Sequence, residues 1–322
     1  MRKIFYILAG IAAFALMASC NKEAHPVVPS GEKVTATFTV QLPDGVATKA
    51  ISDGMTAKEL LFMAYDQNGN HLNLDQTVTV GSNFKATVNV NLVKGVKYQF
   101  VFWAQKAGQY TSGISTDKKT LTITPANMMN SDNWDAFYWH ELLDEEVTGP
   151  FTKEITLRRP FAQINVGAPL TLDASQQRTA GDFYSASKSG IAIDAASLKT
   201  AYKLKLCNTL NLLTGAISGE GEVDMTLVSR PDEFLTVSET KYDYVAMAYV
   251  LAGDAEGAMV NTVELTLSTR QNGSDIQLSR SVANVPIRQN YRTNILGNVF
   301  TVEGIFQIIV SPMYAGEMNI TE

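Results

Sequence analysis

The chain has 322 residues, 45% of them hydrophobic and 18% charged, with a formal net charge of −6 and a pI near 5.2. That apolar content is enough to bury a core and argues against an intrinsically disordered chain. The acidic balance, with no basic patch in the sequence, argues against nucleic acid as a partner.

The first predicted element is an export signal. Two charges at Arg2 and Lys3 precede a mostly apolar run from Ile4 to Ala18, and Ser19-Cys20 closes it. The run is shorter than the roughly 20 residues that a membrane-spanning helix needs. Met17-Ala18-Ser19-Cys20 resembles a bacterial lipoprotein signal, in which residues 1–19 are removed and the cysteine is acylated. The alternative is an ordinary cleaved signal with an incidental cysteine. Removal of the signal leaves a length that suits two domains of about 150 residues each. Once Cys20 carries lipid, Cys207 has no partner, so no disulfide framework is expected. Cys207 is read instead as a small, buried or half-buried thiol.

Residues 20–32 form a flexible tether, polar and broken by Pro26, Pro29 and Gly31. Cys20-Asn21-Lys22-Glu23 also resembles the signal that sends lipoproteins of the Bacteroidales to the cell surface. The clearest pattern follows. Val34, Ala36, Phe38, Val40 and Leu42 alternate with Thr35, Thr37, Thr39 and Gln41, which predicts a half-buried strand. Pro43-Asp44-Gly45 turns the chain. A loop of small and polar residues, 46–54, then carries Lys49, the one basic residue between Lys33 and Lys58.

Further strands are predicted at 60–66, 77–80, 86–92, 98–104 and 120–124, with turns at Gln67-Asn68-Gly69-Asn70 and Lys94-Gly95. Residues 125–150 break the rhythm and predict a long loop with room for one helical turn. Residues 154–166 predict a strand interrupted at Pro160, as at a sheet edge or bulge. In the second half, strands are predicted at 202–208, 223–228, 244–251, 261–268, 275–282, 291–300 and 305–310. No long helical periodicity occurs. The fold class is therefore all-β, arranged as two tandem antiparallel β-sandwich domains, residues 33–170 and 171–322.

Two stretches carry a family resemblance. One is Leu157-Arg158-Arg159-Pro160-Phe161-Ala162-Gln163-Ile164-Asn165-Val166. The other is Asn290-Tyr291-Arg292-Thr293-Asn294-Ile295-Leu296-Gly297-Asn298. With Cys20 and the all-β pattern, the chain resembles the fimbrillin-like lipoproteins of Bacteroidales, which build type V pili. The resemblance implies two transthyretin-like sandwiches. It also implies cleavage of the loop after the first strand by a trypsin-like protease. Loss of that strand would open an apolar groove for a strand of the next subunit. Here the strand over the groove is Val34, Ala36, Phe38, Val40 and Leu42, and the cleavage site is Lys49, although the family's cut often follows arginine. Lys49 is otherwise an exposed loop lysine. The candidate donor strand is Phe306, Ile308 and Val310; it is equally readable as the last strand of the chain's own second sandwich.

No catalytic pattern stands out, and an enzyme is not expected. His25 lies in the tether, and neither His71 nor His140 has a partner at metal-ligand spacing, so no metal and no cofactor are expected. Asp66-Gln67-Asn68-Gly69-Asn70 starts like a calcium loop but has Thr77 where the loop needs glutamate, and is read as a turn. The expected function is a structural or adhesive pilus subunit at the outer membrane, cell surface or fimbrium. Its partners would be other pilin subunits, the membrane through the lipid on Cys20, and a host or bacterial surface ligand. The alternative is a monomeric surface lipoprotein that binds glycan through its loops, with Trp134, Tyr138 and Trp139 as contacts.

Overall fold

The computed structural model describes residues 31–43, 53–125, 128, 131–169, 199–219, 221–227, 234–253, 259–271, 274–297 and 306–312. Cys20, the tether up to residue 30 and Lys49 lie outside the described residues. The first eight strands are β1 (Lys33–Gln41), β2 (Glu59–Asp66), β3 (Gln76–Thr79), β4 (Lys85–Val93), β5 (Tyr98–Gln105), β6 (Thr120–Thr122), β7 (Phe137–Leu142) and β8 (Phe151–Thr156). There follow β9 (Phe161–Pro169), β10 (Lys199–Leu206), β11 (Thr209–Asn211), β12 (Ile217–Ser218), β13 (Gly221–Leu227) and β14 (Phe234–Val237). The last are β15 (Thr240–Leu251), β16 (Met259–Gln271), β17 (Ser274–Pro286), β18 (Tyr291–Gly297) and β19 (Phe306–Pro312). Helix is confined, among the described residues, to short 3-10 turns such as Thr111–Gly113 and Asp132–Trp134. The protein is all-β.

Two sheets, β4-β1-β8 and β3-β2-β5-β7, face each other across a core of Phe38, Phe62, Phe100, Phe102 and their aliphatic neighbours. The second of these sheets is apolar on its other face as well. Leu60, Phe62 and Ala64 of β2 point into the first core, while Met63 and Tyr65 point into another. In β5, Phe100 and Phe102 face one way, Val101 and Trp103 the other. A strand buried on both faces loses its polar alternation, and β2 and β5 read as near-continuous apolar runs for that reason.

The second core is shared with β9, β15 and β18, which lie together in the five-stranded sheet β14-β15-β9-β18-β19. The remaining sheets are β13-β10-β16-β17 and the small β12-β11-β6.

Strand pairing crosses residue 170, and two expectations about individual elements are corrected. β9 belongs to the later strands, pairing with β15 and β18, and β6 pairs across the chain with β11. The stretch 154–166 is not one interrupted strand. It is the end of β8 and the start of β9, in different sheets, and Pro160 stands at the crossing, where no ladder needs its missing N–H. Lastly, the expected loop at 125–150 contains β7. Its Phe-Tyr-Trp sequence is strongly strand-forming but buries alternate rings on opposite faces, so no polar alternation marks it.

Candidate functional site

β1 is the middle strand of its sheet. It runs antiparallel to β4 over nine residues, from Lys33↔Val93 to Gln41↔Lys85, and parallel to β8 from Ala36↔Phe151 to Gln41↔Thr156. Strict alternation sends Val34, Ala36, Phe38, Val40 and Leu42 inward, and none of the five is more than 8% exposed. Phe38 is the centre of the contact, with its ring centroid 4.9 Å from Phe100, 5.3 Å from Phe102, 5.7 Å from Phe151 and 5.9 Å from Phe62. On the outer face, hydroxyls and amides lock the register. Thr35 Oγ1 donates to Asn91 Oδ1 (3.1 Å), Thr37 Oγ1 to Asn89 Oδ1 (2.8 Å) and Gln41 Nε2 to Thr156 Oγ1 (3.2 Å).

Removal of such a strand would leave a slot, not a shorter sheet. β4 and β8 would each present an unpaired backbone edge, and the floor would be the phenylalanines of β2 and β5. Both exposures are costly in water. The five inward side chains represent roughly 1.5–3 kcal/mol of burial for each large one.

β19, which carries Phe306, Ile308 and Val310, is the edge strand of its own sheet and pairs with β18 alone, from Tyr291↔Pro312 to Gly297↔Phe306. Ile308 and Ile309 are half-buried against the core and Val310 is 42% exposed. This strand is therefore held by one ladder where β1 is held by two.

The rings singled out as glycan contacts do not form a platform. Tyr138 and Trp139 are neighbours on a strand and point to opposite faces. Tyr138 is buried, and its hydroxyl donates to the Leu212 carbonyl at 2.7 Å. Trp139 is half-buried against the first core, with Nε1 donating to Glu141 Oε2 at 2.9 Å and the Arg158 guanidinium 5.4 Å from its ring. Trp134 stands apart, against Tyr110.

At the crossing between the cores lies a buried ion pair that residue-by-residue reading missed. Arg159 Nε donates to Asp135 Oδ1 at 2.5 Å and Nη2 to Asp135 Oδ2 at 2.6 Å, both side chains being fully buried. The guanidinium also sits 4.6 Å from the Phe137 ring. The Arg-Arg-Pro signal was visible, but only the fold shows which arginine turns inward. A second buried polar group ties β9 to its neighbours. Asn165 Nδ2 donates to Asn294 Oδ1 (2.8 Å), and the Tyr244 hydroxyl donates to Asn165 Oδ1 (2.5 Å). Both family-like stretches thus meet inside one sheet.

His140 contacts Gln99 Oε1 at 3.0 Å, and burial lowers its pKa, Glu141 opposing in part. His71 pairs with Asp75 at 2.6 Å. The Asp66 carboxylate accepts from the Asn68 and Asn70 amides at 2.8 Å each, which makes its loop a hydrogen-bonded turn. Cys207 is half-buried and forms an isolated antiparallel bridge with Leu251. Among the described residues no group of three or more His, Cys, Asp or Glu side chains is placed to hold a metal.

A family model described as a family of unknown function (DUF6562) matches residues 28–322. The chain belongs to this family. No curated protein matches it. Solved structures similar to this DUF6562 chain include a fimbrial assembly protein from Parabacteroides distasonis, 9% identical, with a TM-score of 0.45, covering 87% of this chain and 96% of that one. A candidate adhesin from Bacteroides thetaiotaomicron is 12% identical, with a TM-score of 0.48, covering 89% and 100%. A candidate polysaccharide-binding protein from the same species is 14% identical, with a TM-score of 0.49, covering 86% and 96%.

One further signal in the DUF6562 chain went unread. Of its fourteen phenylalanines, Phe38, Phe84 and Phe306 have valine four residues before, a small residue two before, and aliphatic residues two and four after. Val34-x-Ala36-x-Phe38-x-Val40-x-Leu42 is matched by Val302-x-Gly304-x-Phe306-x-Ile308-x-Val310. Alternation shows each strand separately; the match emerges only when the two are laid side by side.

Proposed function

We propose that this chain is a structural subunit of an adhesive fibre on the cell surface, and that it assembles by exchanging β1 for a segment of a second copy, residues 302–310, which includes the start of β19. The observation that carries the proposal is the central position of β1, held by a ladder on each side, and its side-chain pattern recurs at 302–310. Lipid on Cys20 delivers the protein to the outer membrane. Cleavage after Lys49 releases Cys20, the tether and β1 together. The open slot then accepts an extended segment by β-augmentation, its backbone pairing with β4 and β8. Phe306 takes the place of Phe38, and Gly304 that of Ala36, which is fully buried. Ile308 and Val310 replace Val40 and Leu42. The exchange is favoured because β19 gives up one ladder at a sheet edge and gains two in the middle of another. Adhesion to a host or bacterial surface is the role of the assembled fibre.

The test is digestion of the folded chain with a trypsin-like protease. Amino-terminal sequencing should find a new end at Ala50, and the product should form a ladder of oligomers on a native gel. A chain in which β1 resists removal and which stays monomeric is instead a fixed anchor or a surface binder.

A further inference from the structure

A cavity of about 550 Å³ lies beside Trp134, between the turn at Thr111–Gly113, the loop after it and β6. Its size is that of a small-molecule site. Its chemistry is narrow. Gln109, Ser112, Thr116, Thr122 and Thr124 line it with a carboxamide and hydroxyls, and Trp134 adds a half-buried indole. Among the described residues no ionised side chain lines it. The Tyr110 hydroxyl at its wall is spent on the Trp134 carbonyl at 2.7 Å, and burial keeps that phenol neutral by pushing its pKa up.

The walls are fixed before any ligand arrives. The Trp134 ring meets Tyr110 edge-on at 5.8 Å and 78°. β6 is paired to β11, its Leu121 and the following Ile123 are buried, and Thr122 and Thr124 are exposed in a row. The Ser115 N–H donates to the Thr120 carbonyl at 2.9 Å and closes the loop. At Gly113 a Cβ would stand 2.2 Å from the Thr122 carbonyl, so the close approach of turn and strand needs glycine there.

We infer that this cavity binds a neutral saccharide. A sugar ring offers a C–H face to stack on an indole and hydroxyls that both donate and accept, which Ser, Thr and Gln side chains match. A charged ligand would shed its water with no counter-charge to replace it. Preformed walls reduce the ordering cost that a weak, polar ligand must overcome. The site stands apart from β1 and does not depend on strand exchange.

The experiment is an array of neutral, sialylated and sulfated glycans probed with the purified chain, followed by calorimetry on the best neutral hit. The expected result is retention of neutral glycans, and a loss of about tenfold or more in affinity for Trp134→Ala. The double variant Thr122→Ala/Thr124→Ala alters two exposed side chains and is the arm to use if Trp134→Ala fails to fold; it should weaken binding several-fold. Retention of no neutral glycan, retention of charged glycans alone, or an unchanged affinity in whichever variant folds would overturn the inference.

Discussion

The ring of Phe38 packs 4.9 Å from that of Phe100, tilted by 57°, across the space between two sheets. This contact joins the strand proposed to leave to the floor that it would expose. Phe38→Ala should cost about 3–5 kcal/mol, because three further rings surround the same site and cannot all collapse into the gap. Urea unfolding followed by circular dichroism measures it. Thr39→Ala, on the half-exposed outer face of the same strand, should stay within about 0.5 kcal/mol of the wild type.

A synthetic peptide of residues 302–310 should compete with whole subunits for the slot. Added in excess to the cleaved chain, it is expected to stop ladder growth at the monomer. The same peptide with Phe306→Ala should leave the ladder intact, since it lacks the one ring that fills the place of Phe38. A ladder indifferent to both peptides would point to a different donor.

Lys49→Ala should leave the amino-terminal segment attached after digestion and abolish the ladder, with no change in thermal unfolding. Mass spectrometry of the digest distinguishes this from a cut elsewhere in the loop.

The Arg159–Asp135 pair is fully buried, so removing either partner strands the other's charge. Arg159→Met and Asp135→Leu are each expected to destabilise by about 3–5 kcal/mol. Arg159→Met combined with Asp135→Leu should cost much less than the two single changes summed. A double-mutant cycle by chemical denaturation reads the difference.

Tyr65, Tyr98, Tyr110 and Tyr138 all have pKa values raised above 10.0, burial being the first cause in each. In the unfolded chain they ionise near 10.0; in the folded one they stay protonated longer. Between those values the folded state binds more protons, so the contribution of these tyrosines to stability is constant below about pH 10 and falls as pH rises beyond it. Urea midpoints from pH 8 to 11.5 should show that decline. Absorbance at 295 nm should show these tyrosinates appearing at higher pH in the folded chain than in the unfolded one.

Much of the architecture was legible from local pattern. β1 was read almost to the residue, because one of its faces is buried and the other is wet, so its alternation is unbroken. β4 shows the same regularity for the same reason. β7 was missed because apolar residues occupy both of its faces, and a strand of that kind carries no period. The short strands β11, β12 and β14 were missed because two to four residues hold too little pattern to read.

Alternation is a property of neighbours along the chain, and it determined the all-β class and the inward set of each half-buried strand. Sheet membership is a property of partners far apart in sequence, and only the tertiary structure decided it. β8 and β9 are separated by four residues yet stand in different sheets, because their backbones pair with β1 in one case and with β15 and β18 in the other. The same distant pairings placed β1 between two neighbours and β19 at an edge. They also turned Tyr138 inward and left Trp134 beside a cavity.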